Sequence, residues 1–314
     1  MSELLGTKRM LQRAGAKAIA ANAIQTGQAD FGNARLSPEQ ANAFINYTID
    51  QTVMMKEGLR VIRMRADRYE LNSLSIGTRA LRLGSEGVAP TLTGVIHAKR
   101  VLTAVEVILA ADITFSYLED TIATGGAEGQ IAQMFAKQLA NDIEDLGING
   151  AAGGGGTFVE INDGWLTLIK AVVASRFDTN ASTDYRNVVF KGMLAALPVK
   201  FKVNKANLRF YVSTNVEEAY RYQIGQRQTA GGDAVLQGGG RVTYDGVPVV
   251  PVPFLSDSDL LLTPPDNLAF GIHRDITLGQ FRNERTRSQE YTWTFRTDYE
   301  IVEPTAMIVG YDAP

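Results

Sequence analysis

The clearest pattern in the chain lies near its C-terminus. There "YTWTFRTDYEI", residues 291–301, sets Tyr291, Trp293, Phe295, Thr297, Tyr299 and Ile301 at odd positions and Thr292, Thr294, Arg296, Asp298 and Glu300 at even ones. Side chains alternate between the two faces of a strand, so this period of two predicts a strand with one buried, aromatic face and one polar face. At about 3.3 Å per residue the stretch spans roughly 36 Å, about twice a usual strand in a compact domain. The preceding "HRDITLGQFRNERTRSQE" supplies the other arm of a long hairpin, with Arg282, Glu284, Arg285, Arg287 and Glu290 crowded at its tip. Beyond Pro304 the apolar "AMIVGY" reads as a further strand.

Helical periodicity is strongest where Ile131, Met134, Phe135, Leu139, Ile143 and Leu146 form one stripe. This predicts a helix over 128–146, roughly 28 Å long, ended by Gly147. Its last turn carries Asp142, Glu144 and Asp145, the wrong sign for the negative end of a helix dipole, so either partner cations lie nearby or a cost of about a few tenths of a kcal/mol is carried, the former being the favoured reading. Another helix opens at "SPEQ", with Ser37 as N-cap, Pro38 at the first helical position and Gln40 completing a capping box. Ala41, Phe44, Ile45, Ile49 and Val53 continue it, and Gly58 is placed to close it in the left-handed conformation.

The segment "LRVIRMRA" predicts a strand. "LRLGSEGVAPTLTGVIHAKRVLTAVEVILA" has glycine and proline at its centre and β-branched runs on both sides, the composition of a long two-stranded excursion over 78–110. Such a ribbon has too few core residues to stand alone and needs a neighbouring surface. "GWLTLIKAVVASRF" and "RNVVFKGMLAALPVKF" read as helices, the second broken at Pro198. They are followed by the strand "LRFYVST", the helix "NVEEAYRYQIG" and a strand pair turning at Asp245-Gly246, so the middle of the chain forms a separate α/β unit. The glycine run "NGAAGGGG", 149–156, lacks the Lys-Ser/Thr of a phosphate loop and follows a helix, so it reads as a flexible hairpin tip.

Composition narrows the function. With 45% hydrophobic and 21% charged residues the chain is an ordinary folded protein of two or three units. A net charge of −3 gives no global basic field for nucleic acid. Its first 35 residues are set apart, with Lys8, Arg9, Arg13, Lys17 and Arg35 against Glu3 and Asp30. Absence of cysteine excludes disulfides, thiolate metal sites and a cysteine nucleophile. The two histidines, His97 and His273, are a poor basis for a zinc site or an imidazole base. No stretch approaches the roughly 18 apolar residues of a membrane helix, so no membrane association is expected.

A basic arm, a long two-stranded excursion, a long helix, an α/β unit and a terminal hairpin that could lie along the helix occur in that order. The order resembles the major capsid protein of tailed bacteriophages. "SEGVAPTLT" is similar to the acidic Glu-Gly stretch of that family's extended loop, and "FSYLEDT" to the segment leading into its long spine helix. "LAALPVKF", "FYVSTNVEEAYR" and "YDGVPVVPVPFL" resemble the passage from the peripheral into the axial domain, and "FRTDYEIVEPTAMIVG" the closing strands. The resemblance covers about residues 60–311. It implies an α+β fold with an N-terminal arm and lead-in strand (1–77), an extended loop (78–110), a peripheral domain (111–205 and 272–314) and an inserted axial domain (206–271).

The implied function is that of a structural subunit, with no catalytic residues and no cofactor, that assembles through hexamers and pentamers into an icosahedral head around double-stranded DNA. The implied setting is the virion, with assembly in the bacterial cytoplasm. Implied partners are copies of itself, a separate scaffolding protein, a portal, a decoration protein and packaged DNA held without sequence specificity. The candidate contacts between subunits are Arg79, Arg82, Glu86 and Lys99 in the loop, Asp142, Glu144 and Asp145 on the helix, and Arg282, Glu284, Arg285 and Arg287 at the hairpin tip. For the tip, a solvated surface run competes with networked Arg-carboxylate pairs between subunits. Lys8, Arg9, Arg13 and Lys17 are candidates for an inner-surface basic arm, against simple solvation. Lys99 is the single loop lysine available for covalent cross-linking, which is not expected. An encapsulin-like nanocompartment shares the fold and remains an alternative. A hydrolase using Glu119 and Asp120, or Asp142 and Asp145, is a remote one, since neither a nucleophile nor a metal cluster supports those acids.

Overall fold

The structure is a computed structural model and describes residues 52–75, 81, 83, 89, 94–116, 127–153, 157–226 and 240–312. Along the chain, helix α1 (Val53–Lys56) leads into strand β1 (Arg60–Met64), followed by β2 (Arg68–Ser75), β3 (Ile96–Thr103) and β4 (Val105–Thr114). The long helix α2 (Ala127–Asn149) and the short α3 (Trp165–Lys170) precede β5 (Arg176–Asp178), α4 (Phe190–Ala196), β6 (Arg209–Val212) and α5 (Thr214–Gly225). Strands β7 (Thr243–Tyr244), β8 (Val247–Pro251), β9 (Leu260–Thr263), β10 (Leu268–Asn283), β11 (Ser288–Ile301) and β12 (Ile308–Tyr311) complete the chain.

These strands form a four-stranded sheet in the order β1-β10-β11-β4, a six-stranded sheet in the order β5-β12-β9-β6-β8-β7, and a two-stranded ribbon of β2 with β3. Strand β11 is buried at alternate positions from Tyr291 to Ile301, the odd face being the buried one, as the sequence predicts. That face packs on α2. Phe135 and Trp293 lie 4.7 Å apart between ring centroids, and the Tyr299 hydroxyl donates to the Ile143 carbonyl at 2.8 Å. Trp165 meets Tyr299 edge-on at 5.2 Å. One continuous core joins Leu139, Ile143 and Leu146 of α2 to Trp293, Phe295 and Tyr299 of β11. A second core fills the six-stranded sheet around Phe190, Phe210 and Tyr220.

Several expectations are corrected. Helix α2 continues past Gly147 to Asn149, because Gly147 is a contact point instead of a cap: a Cβ there would lie 2.8 Å from the Tyr299 ring and 2.9 Å from Trp165. Met134 is 59% exposed, so the buried stripe of α2 runs through Ala136, Leu139, Ala140, Ile143 and Leu146. The helix expected from Ser37 to Gly58 is interrupted at Thr52, whose backbone is extended (φ −76, ψ 143), and Ser37–Gln51 lie outside the described residues. Gly58 does close α1 with φ +100, while the Glu57 and Gly58 amides donate to the Met54 and Met55 carbonyls. "GWLTLIKAVVASRF" is α-helical only to Lys170, with one 3-10 turn at Val173–Ser175, and Arg176–Asp178 pairs with β12 as a strand. The described part of the glycine run is a backbone crossing, with Gly164 N–H donating to the Gly150 carbonyl at 2.8 Å, instead of a free hairpin tip.

Boundaries shift as well. The ribbon begins at Arg68, before residue 78, and β4 leaves it at Val105 to pair along β11, so 105–110 belong to the four-stranded sheet. The reason lies in the odd side chains of β4: Val107, Leu109, Ala111 and Ile113 pack on the core shared with α2. The six-stranded sheet draws β5 and β12 from outside 206–271, while Leu268 to Gly271 already belong to β10 and pair with β1 and β11. The Asp245-Gly246 turn is as expected, with both residues at positive φ (48 and 83), the geometry of a tight hairpin turn.

Candidate assembly surfaces

The ribbon is attached by two short connections, Arg65–Asp67 between β1 and β2 and the single residue Ala104 between β3 and β4. The Ala104 amide donates to the Asp67 carbonyl at 2.9 Å, which ties the two connections together. Leu71 and Leu102 seat the base on Ile62, Met64 and Ala269. Outward from that seat β3 is exposed from Ile96 to Val101, leaving Val101 (38%) and Ile96 (54%) facing solvent. Lys99 is ion-paired with Glu70 across the ribbon, and both ends are about half exposed (46% and 52%).

Below the ribbon's base lies the polar face of β11. Arg296 donates to Asp67 at 2.9 Å and reaches Glu106 at 3.4 Å, and His273 Nδ1 stands 3.2 Å from Asp67. Asp298 accepts the Thr103 amide at 2.5 Å. Burial pushes its carboxyl up to about 6, although hydrogen bonds from Thr103 and Tyr299 pull the other way, and Glu300 and Asp163 add like charge. Glu300 is also raised, first by burial, against a hydrogen bond from the Ile301 amide and the charge of Arg100. The even residues of this strand advertise a polar face in the sequence. That the ribbon covers it is set by the register of distant strands, which no local pattern carries.

The hairpin tip is exposed. Arg282 pairs with Glu284 at 2.6 Å and lies over the Phe115 ring at 4.7 Å. Arg285 and Arg287 have no ion pair among the described residues, and Arg287 takes a positive φ of 51 in the turn. Among the described residues the tip therefore presents two guanidinium groups without an ion pair beside one internally paired.

The helix acids differ from expectation. Glu144 is 4% exposed and accepts the amides of Met54 at 2.8 Å and Val53 at 3.1 Å. It is a buried partner for the start of α1 and not a surface contact, which corrects its candidacy. Its pKa is raised by burial, against those two hydrogen bonds and the charge of Lys56. Asp142 and Asp145 find amides instead of cations: Gln138 donates to Asp142 and Asn149 to Asp145, each at 2.7 Å. Burial raises the pKa of Asp142, against the hydrogen bond from Gln138, and the charge of Asp145 adds to the rise. Arg79, Arg82, Glu86, Glu119, Asp120, Lys8, Arg9, Arg13 and Lys17 lie outside the described residues.

Glu57 is a junction that pattern reading misses. Its side chain, 11% exposed, pairs with Arg209 of β6 at 3.1 Å and with Arg241 before β7. Burial alone would raise its pKa, but hydrogen bonds and charge from Arg241 and Arg209 outweigh it and hold the carboxyl below its usual range. One carboxylate thus fixes the end of α1 to the six-stranded sheet. Among the described residues no group of His, Asp or Glu is arranged to hold a metal, and no helix is long and apolar enough to cross a membrane.

No protein-family model matches the chain. The prophage capsid protein YqbE of Bacillus subtilis (strain 168) is 30% identical over 291 residues, 87% of this chain and 90% of that one. The chain belongs to the phage capsid protein family. Solved capsids share the family's fold with it. The satellite phage P4 procapsid that includes the size determination (Sid) protein superposes with a TM-score of 0.70 at 13% identity, over 94% of this chain and 97% of that one. The capsid of a native GTA particle gives 0.60 at 15% identity, covering 94% and 99%. A virus-like particle from Pyrococcus furiosus gives 0.54 at 11%, covering 85% and 96%. At these identities the likeness is one of fold.

Proposed function

We propose that the protein is a major capsid subunit that assembles through hexamers and pentamers into an icosahedral head enclosing double-stranded DNA, a structural part and not an enzyme. The observation that carries this is the kinship with a prophage capsid protein along 90% of that relative. The four-stranded sheet with α2 serves as the peripheral unit and the six-stranded sheet as the axial unit. The ribbon, which among the described residues is seated at its base, reaches onto a neighbouring subunit. Such contacts are individually modest, yet a closed shell holds because many must break together.

Arg285 and Arg287, with Arg282 and Glu284, meet neighbouring subunits at the hairpin tip, where networked Arg-carboxylate pairs are stronger than isolated surface ones. Arg79, Arg82, Glu86 and Lys99 act in the same way along the ribbon, and Asp142 and Asp145 on the helix. Lys8, Arg9, Arg13 and Lys17 face inward to DNA or scaffold. A separate scaffolding protein, a portal and a decoration protein complete the partners, and assembly takes place in the bacterial cytoplasm. The likeness to the Pyrococcus furiosus particle keeps an encapsulin-like shell as the second reading. The contents of particles purified from the producing cell separate the two. Nuclease-protected double-stranded DNA is expected; particles that hold a folded cargo protein and no DNA would establish the nanocompartment reading instead.

A further inference from the structure

Strand pairing sets rows of side chains across the polar face of the four-stranded sheet. Met64, His273, Arg296 and Glu106 form one row, Ile62, Gly271 and Asp298 the next, and Arg60, Ala269 and Glu300 the one after that. The base of the ribbon runs over these rows in turn. Pairing between β4 and β11 ends at Val105, the Thr103 amide donates to Asp298, Leu102 lies over Gly271, and the charge of Arg100 reaches Glu300. Gly271 permits the close approach, since a Cβ there would stand 2.8 Å from the Met64 sulfur and 3.3 Å from Leu102 Cδ1.

The apolar seat of Leu71 and Leu102 holds this base down, but hydrophobic contact is non-directional and does not fix the angle at which the ribbon leaves. Direction comes from the ribbon's two feet, and both rest on one guanidinium. Arg296 donates to Asp67, in the connection into β2, at 2.9 Å, and to Glu106, just after the connection out of β3, at 3.4 Å. His273 Nδ1 stands 3.2 Å from the same Asp67 carboxylate, and the Asp67 carbonyl accepts the Ala104 amide. These side chains are partly exposed, so each pair alone is weak; joined through one arginine they form a network, in which neither foot moves without breaking a contact. We propose that Arg296 is the positioning residue that sets the ribbon's angle to the body, by clamping Asp67 and Glu106 to β11. The unassembled subunit then carries a ribbon already aimed, with Ile96 and Val101 presented in one orientation, and less ordering is left to be done when another surface covers them. This holds for the subunit alone, whatever a shell built from it encloses.

The chain has no cysteine, so two introduced ones carry spin labels without competition. Ala98→Cys on the ribbon and Lys137→Cys on α2, both at exposed positions, report the ribbon's angle as a distance in the unassembled full-length subunit. One narrow distance distribution is expected, and a broad one would overturn the proposal before any clamp residue is changed. Arg296→Ala is expected to broaden it and to lower hydrogen-exchange protection of the Ala104 amide about 5-fold, while protection of Leu139 in α2 stays level. Asp67→Ala combined with Glu106→Ala, at exposed positions, is expected to reproduce the broadening and keeps the test open should Arg296→Ala fail to fold. A distribution that stays narrow in either folded variant, or an equal loss of protection at Leu139, would show that Arg296 does not set the angle.

Discussion

Glu144 shows what a single residue can decide in this molecule. Read along the helix it is an acid at the wrong end of a dipole. In three dimensions it is the acceptor for two amides of α1, Val53 and Met54, and so pins the start of the described chain to α2. Removing it leaves two donors without an acceptor in a buried place, a penalty of about 1–3 kcal/mol each. Glu144→Ala is therefore expected to destabilise the unassembled subunit by roughly 3 kcal/mol, seen as a lower denaturant midpoint with an unchanged slope; a shift under about 0.5 kcal/mol, the range of neutral surface changes, would contradict it. Because burial raises the carboxyl's pKa, the folded form takes the proton more readily than the unfolded one, and this group's contribution grows as pH falls through its titration and shrinks as pH rises. The identity of such residues is open to sequence reading, but their partners are not. Glu144 lies 90 residues from Met54, and nothing local distinguishes it from Asp142 or Asp145.

At the scale of elements, periodicity carries far. The aromatic face of β11 and the Leu139-Ile143-Leu146 stripe of α2 are legible as alternation and as helical spacing, and each finds the other as its covering surface. The ends of elements are less legible, because tertiary contacts set them. Gly147 looks like a helix stop and is a close approach: the missing side chain admits the Tyr299 and Trp165 rings against α2. Gly147→Ala would gain about 1 kcal/mol in helix propensity, yet the added methyl meets two packed rings, and overpacking of that kind costs about 1–3 kcal/mol. The expected result is net destabilisation and a changed tryptophan environment, measured by denaturation and near-ultraviolet circular dichroism; a more stable variant with an unaltered spectrum would show that the helix and hairpin do not pack this closely. The ribbon's limits differ from the sequence pattern for a related reason. β3 and β4 are one continuous β-branched stretch in the sequence, separated by the single residue Ala104, and it is pairing with β2 on one side and β11 on the other that divides them.

For the whole molecule, two sheets with separate cores are joined through the shared Leu261, Met307 and Val309 packing and through Glu57, and a ribbon projects from one of them. A projecting two-stranded element without a core of its own is marginal in water, and its exposed Ile96 and Val101 gain burial only from another surface. The long hairpin, too extended for a compact domain, is instead the rib along which α2 lies, with its charged tip turned outward. Kinship with a prophage capsid protein accounts for both features, because in a shell the neighbouring subunit supplies what the isolated chain lacks. The most direct measurement is a cryo-electron microscopy reconstruction of particles formed by the full-length chain. A closed icosahedral shell is predicted, with residues 68–103 of each subunit lying on a neighbour and the 284–287 turn at a contact between capsomers. A protein that remains monomeric with its scaffold present, or a shell in which that ribbon touches only its own subunit, would contradict the account.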